Sequence, residues 1–256
     1  MKKKGNHGDG HLLPDDIIVE ILIHVPVKTL IICSSVSRGW RHLIYGPQFS
    51  KTHFKLASEQ KTLGQTLLLS TGLVTQSFEV LETNLLSRVK NLTFPFKQKD
   101  QEAIQLIGPC NGLVCAGQWS FSNKIYRSFS IWNPSTGFFS NLPEHPVRGS
   151  EGARNKGTTY EQYGFGYVSS IDGYKVVIIR FVDAIASTVS SDKLSRKAAI
   201  FSVRNNFWKT IEAPPHLQYL RQNSGALLNE TLHWVDMNLN DTTTITAFDL
   251  AKEEFR

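Results

Sequence analysis

Apolar positions recur at helical spacing from Leu13 to Ile44. Ile17, Ile18, Ile21, Leu22 and Val25 form one stripe, with Asp15 and Asp16 in its first turn. Carboxylates suit that place because the helix dipole is positive there. Pro26 ends this helix and suits the start of the next, since it lacks an N–H and fixes φ near the helical value. Val27, Leu30 and Ile31 mark a second short helix. Val36, Trp40, Leu43 and Ile44 mark a third, and Gly46-Pro47 reads as its stop. Gly39 inside that third helix costs about 0.5–1 kcal/mol relative to Ala. Three helices of this length bury little surface alone. Part of their apolar face therefore belongs either to a partner or to the rest of the chain.

After Lys51 the helical period fades, and short runs of β-branched and aromatic residues alternate with turn signals. Three of these segments align. Trp132, Phe201 and Phe248 are each followed seven residues later by a second aromatic, namely Phe139, Trp208 and Phe255. A polar stretch of turn character lies between the members of each pair, which predicts a strand, a turn and a returning strand. Each segment also follows an apolar strand that opens at a turn, at Asn111-Gly112, Asp172-Gly173 and Asn229-Glu230. Thr66–Ser70 and Ser77–Leu81 supply a weaker, earlier unit. The spacing is near that of kelch-type propeller blades, in which stacked sheets bury one another's faces. Most of the six aromatics are then expected in the core. A closed ring takes roughly four to eight blades. The count here leaves two readings, a truncated ring or an open β assembly.

Composition changes little in this picture. The 256 residues, 41% hydrophobic and 20% charged, suit globular domains with a real core. The net charge of +6 is spread thinly, whereas nucleic-acid binders concentrate it. A basic helix-turn-helix built on Arg38, Arg41 and His42 is the competing reading of the first module, but no helical set of base-reading side chains accompanies it. Cys33, Cys110 and Cys115 are odd in number and lack a zinc pattern, so they read as reduced structural thiols. The start, Lys-Lys-Lys then Gly-Asn-His-Gly-Asp-Gly, has no apolar signal core, and Ile17–Ile32 is too broken by polar residues to span a bilayer. The expected location is the cytoplasm, the nucleus or both.

Leu13-Pro14-Asp-Asp-Ile-Ile, Ile21-Leu22, Val25-Pro26-Val27-Lys28, Leu30, Val36, Trp40-Arg41 and Leu43-Ile44 together resemble the F-box. The resemblance implies docking on a Skp-type adaptor, which joins the module to a cullin scaffold and a RING subunit in an SCF-type ubiquitin ligase. It assigns Leu13, Pro14, Ile18, Leu22, Pro26, Leu30, Val36 and Trp40 to the docking surface and its core. Ile32-Cys33-Ser34-Ser35 stands where many relatives carry a basic, Cys-containing run, and Ser37 and Gly39 replace the usual residues around Arg38. These departures predict weaker docking with the apolar anchors kept.

Gly108-Pro-Cys-Asn-Gly-Leu-Val-Cys, Ile131-Trp-Asn-Pro-Ser-Thr-Gly, Tyr163-Gly-Phe-Gly-Tyr, Asp172-Gly-Tyr-Lys-Val-Val and Leu232-His-Trp-Val look like the F-box-associated domain of plant F-box proteins. The expected fold is α+β in separate domains: a start without structure over 1–10, a three-helix module over 11–50, and an incomplete all-β, kelch-like repeat domain over 51–256. Loops carry recognition, and the long ones are Pro143–Gly157 and Ala184–Lys197. His145, Arg148, Arg154, Lys193 and Arg196 are the candidate contacts to a target protein.

No phosphate loop, His-Glu-x-x-His or Gly-x-Ser-x-Gly is present. Gly164-Phe-Gly reads as strand punctuation, His233 as structural, and the acids Asp172, Asp183, Asp236, Asp241 and Asp249 fall mostly at turns. The expectation is a non-catalytic adaptor with no cofactor or metal, whose partners include neither nucleic acid nor membrane. The alternative is a glycan- or small-ligand-binding β module without a ligase role.

Overall fold

The computed structural model describes residues 13–60, 66–71, 77–82, 89–92, 94, 102–121, 125–134, 136–147, 157–184, 196–214, 224–237 and 243–256. The chain divides into two compact units, residues 1–67 with 81–89 and residues 68–80 with 90–256.

Among its described residues the first unit holds four helices where three were expected: α1 (Asp15–Leu22), α2 (Val27–Cys33), α3 (Arg38–Ile44) and α4 (Pro47–Glu59). Pro14 and Pro26 stand just before α1 and α2 with extended ψ. Ser37 caps α3, its hydroxyl accepting from Trp40 N at 3.1 Å. Gly46-Pro47 does end α3, but Pro47 is also the first residue of α4. The same dipeptide is thus a stop and a start, and α4 runs through the boundary expected at residues 50 and 51. Leu22, Leu30, Ile44 and Phe49, one from each helix, make the core, with Ile18, Val19, Trp40 and Leu43 packed on it. His53 Nε2 lies 2.9 Å from Val25 O and ties α4 to the α1–α2 turn.

The strands form antiparallel up-and-down sheets. A three-stranded sheet holds β1 (Thr66–Thr71), β2 (Ser77–Glu82) and β3 (Val89–Leu92). The first four-stranded sheet holds β4 (Glu102–Cys110), β5 (Leu113–Ser120), β6 (Ile125–Trp132) and β7 (Phe139–Asn141). The second holds β8 (Gly157–Val168), β9 (Gly173–Ala184), β10 (Arg196–Ser202) and β11 (Phe207–Glu212). The third holds β12 (Ala226–Leu228), β13 (Thr231–Met237), β14 (Thr243–Asp249) and β15 (Glu254–Phe255). Each four-stranded sheet is one repeat unit, or blade. The last residues, where the sequence suggested a strand only beginning, pair with β14 through Phe248–Phe255 and Asp249–Glu254.

The repeat seen in sequence has a structural cause. Trp132–Phe139, Phe201–Trp208 and Phe248–Phe255 are direct cross-strand partners in the outer hairpin of each blade. The first member of each pair is buried and the second half-buried. Between them the chain turns through a left-handed residue five positions after the first aromatic: Gly137, Asn206 and Glu253. The side chain one position after that aromatic steadies the turn. Asn133 accepts from Thr136 N, Ser202 from Asn205 N, and Asp249 from both Ala251 N and Lys252 N. These bonds, reinforced by the Arg256 guanidinium, hold the Asp249 carboxyl below its ordinary range. The inner hairpins turn at Asn111-Gly112 and Asn229-Glu230, both residues left-handed as a two-residue type I′ loop needs, and at Asp172 after one 3-10 turn.

The second sheet is buried on both faces. Val176 and Ile178 point to the cluster shared with Tyr126, Phe129 and Ile131, while Val177 and Ile179 point to the cluster of Leu232, Trp234 and Phe248. The unbroken run Val176-Val177-Ile178-Ile179 is what a strand covered on both sides requires. Gly164 and Gly166, read from sequence as punctuation, are instead packing sites: a Cβ there would overlap Leu232, and Leu227 with Leu250. Cys110 and Cys115 are buried free thiols, and Cys33 is a half-buried one. Asp183 and Asp236 lie within β9 and β13 rather than at turns.

Polar links also cross between neighbouring blades. Trp208 Nε1 donates to Pro143 O at 2.9 Å, and Trp234 Nε1 to Tyr163 O at 3.0 Å. Lys175, with its side chain almost wholly covered, donates to Leu250 O at 2.6 Å and pairs with Glu253 at 2.9 Å, which also meets Lys209 at 2.6 Å. Burial opposes the charge on Glu253, but the two ammonium groups prevail and hold its carboxyl below the ordinary range.

Both kinds of contact can be probed by substitution. Gly225→Ala places a methyl 2.6 Å from the Trp234 ring and is expected to cost about 1–3 kcal/mol, read by thermal or urea denaturation. Glu253→Gln is expected to cost about 2 kcal/mol near neutral pH. A depressed folded pKa stabilises above the unfolded value, so the gap between wild type and Glu253→Gln should close as pH falls below the ordinary Glu range. A gap that stays constant as pH is lowered through and below the ordinary Glu range would mean that the ion pair is not its source.

Candidate functional site

The helical unit divides its apolar residues between two jobs. Of the eight residues assigned from sequence to the docking surface and its core, Leu22 and Leu30 are core and meet no solvent face. Ile18 and Trp40 are half-buried against that core. Leu13, Pro14, Pro26 and Val36 are exposed. The structure adds two residues that the sequence reading merged into the core stripe. Ile17 is 47% exposed and Ile21 53%, beside Leu13 at 56% and Val36 at 66%. Ile17 and Ile21, four residues apart within α1, form one outward row, and Leu13 is exposed just ahead of the helix. The available signal was the doubling of apolar positions, Ile17-Ile18 and Ile21-Leu22. A helix covered on one side needs one member of each doublet, and here the other member faces outward. Val27 and Ile32 on α2 are exposed as well. These exposed aliphatic side chains belong to a unit that has its own core in Leu22, Leu30, Ile44 and Phe49.

The β unit has two unlike ends. In an up-and-down blade the turns between strands one and two and between three and four share one end. Those turns are the tight, left-handed ones of the inner and outer hairpins. The opposite end carries the other connections: from Asn141 to Gly157 between blades, from Ala184 to Arg196 within the second blade, and from Glu212 to Ala226 between blades. The described strand ends that flank both of the long segments singled out in sequence therefore share one end of the up-and-down sheets, and recognition loops are tolerated between such ends.

The individual contacts fare differently. Arg148, Arg154 and Lys193 lie outside the described residues. His145 is 3% exposed and set edge-on to Phe129 and Trp208, so it is a packing residue between the first two four-stranded blades and not a loop contact. Its aromatic neighbours claim it because the chain is pinned on either side, at Pro143 O by Trp208 and at Val147 O by Arg180. Arg196 opens β10 opposite Phe181 instead of lying in a loop.

The most concentrated polar chemistry is buried. Tyr163 and Arg180 meet the Glu161 carboxylate, Tyr126 donates to Gln105, and the Tyr126 and Tyr163 rings lie edge to face at 4.4 Å. Burial pushes the Glu161 carboxyl up, against the pull of Tyr163 and Arg180, and pushes the Tyr163 hydroxyl well up too. Arg180 also donates to Val147 O at 2.6 Å. The cluster thereby fixes the root of the long connection to the second blade. Its groups face one another and not an open cleft. No cluster of metal-binding side chains occurs among the described residues. Among those residues, too, no helix is long and apolar enough to cross a membrane.

Comparison with known families agrees with this architecture. Residues 11–52 match the F-box domain, and residues 66–256 match the F-box associated beta propeller domain. Among curated proteins of Arabidopsis thaliana, the F-box protein CPR1 is 30% identical over 263 aligned positions, covering 95% of this chain and 59% of that protein. The F-box/kelch-repeat protein At3g23880 is 27% identical, covering 96% of this chain and 65% of the relative. The chain thus spans roughly three-fifths of the length of these relatives. With an exposed apolar edge on its helical unit and a repeat of paired aromatics in its blades, the chain belongs to the F-box proteins that carry an F-box associated β-propeller domain.

Proposed function

We propose that this chain is a substrate-recognition subunit of an SCF-type ubiquitin ligase. The observation that carries the reading is the outward apolar row Ile17 and Ile21 on α1, with Leu13 and Val36 also exposed, on a unit whose core is complete without them. Covering a half-exposed aliphatic side chain is worth on the order of 1 kcal/mol, so this row with Leu13 and Val36 supplies several kcal/mol to a partner. A Skp-type adaptor is that partner, and through it a cullin and a RING subunit. The blades hold a target protein at the end of the long connections. The chain then contributes proximity between the target and a charged ubiquitin carrier, and no bond-making group of its own. The role calls for no metal or cofactor, and it places the chain in the cytoplasm, the nucleus or both.

Binding to a purified Skp-type adaptor, followed by calorimetry, tests the docking half. Ile17→Asp with Ile21→Asp is expected to reduce affinity at least a hundredfold while leaving the melting of the β unit unchanged. Leu22→Ala acts differently, destabilising the helical unit by about 2–5 kcal/mol through the cavity it leaves. Undiminished adaptor binding by the double Asp variant would sink the docking surface. Retention of the wild type on a glycan array, with no adaptor binding at all, would favour a ligand-binding β module instead.

A further inference from the structure

The outward side of α3 has a chemistry unlike that of α1. Arg38, Arg41, His42 and Tyr45 recur at i, i+3, i+4 and i+7, so they form one stripe, while Trp40, Leu43 and Ile44 turn inward. All four stripe residues are exposed, Tyr45 at 61%. With Gly46 and Pro47 they line a single cleft of about 450 Å³. Arg41 is oriented by donating from Nε to Ser34 O at 3.4 Å, in the α2–α3 turn. The surroundings of the two guanidinium groups are one-sided. From Arg38 to Ser50, the stretch that includes the residues lining the cleft, the chain holds Arg38, Arg41 and His42 and no Asp or Glu. The acids among the described residues of the unit's helices lie at Asp15, Asp16 and Glu20 on α1 and at Glu59, which pairs with Lys55 at 3.9 Å. Like charges converging on a cleft repel one another and lower the stability of the unit when nothing covers them. A partner of opposite charge removes that cost and gains association rate.

The stripe begins two residues after Val36, one of the exposed apolar anchors, and Arg41 is tied to the turn that presents Val36. We propose that Arg38, Arg41 and His42, with Tyr45 as an aromatic wall, take an acidic segment of the same adaptor that covers Val36. This rests on the docking reading above and adds the electrostatic half of that contact. Two guanidinium groups suit carboxylates better than lysines do, because each can present paired donors.

The test measures association with a purified Skp-type adaptor at about 50 mM and about 300 mM salt, where screening differs strongly. Arg38→Glu with Arg41→Glu is expected to weaken binding roughly tenfold at the lower salt, mostly through slower association, and to flatten the salt dependence. Arg38→Glu with His42→Glu should act in the same direction and leaves the Arg41–Ser34 bond in place. Arg38→Lys with Arg41→Lys should restore most of the association rate. Wild-type binding whose affinity and salt slope are unchanged by both charge reversals would overturn the proposal and leave apolar docking standing. Salt-sensitive retention of a DNA duplex, lost in the same variants while adaptor binding is intact, would also overturn it and assign the stripe to nucleic acid. A wild-type protein that does not bind the adaptor at either salt would bring down the docking reading itself.

Discussion

The β unit depends on burying both faces of the sheet built from β8 to β11. One small sheet cannot cover itself, so each of its faces must be matched by a neighbour of the right shape. The residues of β9 alternate between two aromatic clusters, and the glycines of β8 let Leu232, Leu227 and Leu250 approach the backbone. The first sheet supplies rings, Tyr126 and Phe129, and the third supplies Trp234 and Phe248. Position and chemistry in the neighbouring blades are set by this demand. The polar Tyr163–Glu161–Arg180 group survives inside because it is internally bonded, and it converts packing of the sheets into a fixed root for a surface connection.

The helical unit solves a different problem. It has too few residues to hide all of its aliphatic side chains, and it keeps one buried residue per helix as a minimal core. What is left over is sorted by element: aliphatic on α1, cationic on α3. A unit sorted in this way presents two chemically distinct sides around one small core.

Much of the fold was legible in the sequence because it is written in local rules. The aromatic pairs spaced by seven, the Asn-Gly and Asp-Gly hairpins and the proline-opened helices each have a short-range physical cause. The features that escaped needed distant partners. Whether Ile17 or Ile18 faces inward depends on where α3 and α4 lie. His145 reads as a loop residue until Phe129 and Trp208 are beside it. The fourth helix was missed for a local reason, since proline both ends and begins helices and only the residues after it decide between the two. Arg148, Arg154 and Lys193 stand as sequence candidates and lie outside the described residues.

The left-handed turn positions differ between the blades. Where the first two complete blades use Gly112, Asp172, Gly137 and Asn206, residue types that tolerate that backbone conformation, the third uses Glu230 and Glu253, which gain nothing from it. Both carboxylates reach the preceding blade, Glu230 to Ser169 N at 3.0 Å and Glu253 to Lys175. Blades built on one template could in principle stack in any order, which is a hazard for a repeat protein during folding. Two glutamates in otherwise unfavourable places mark the third blade's turns as different from those of the other two, and each ties that blade to the second.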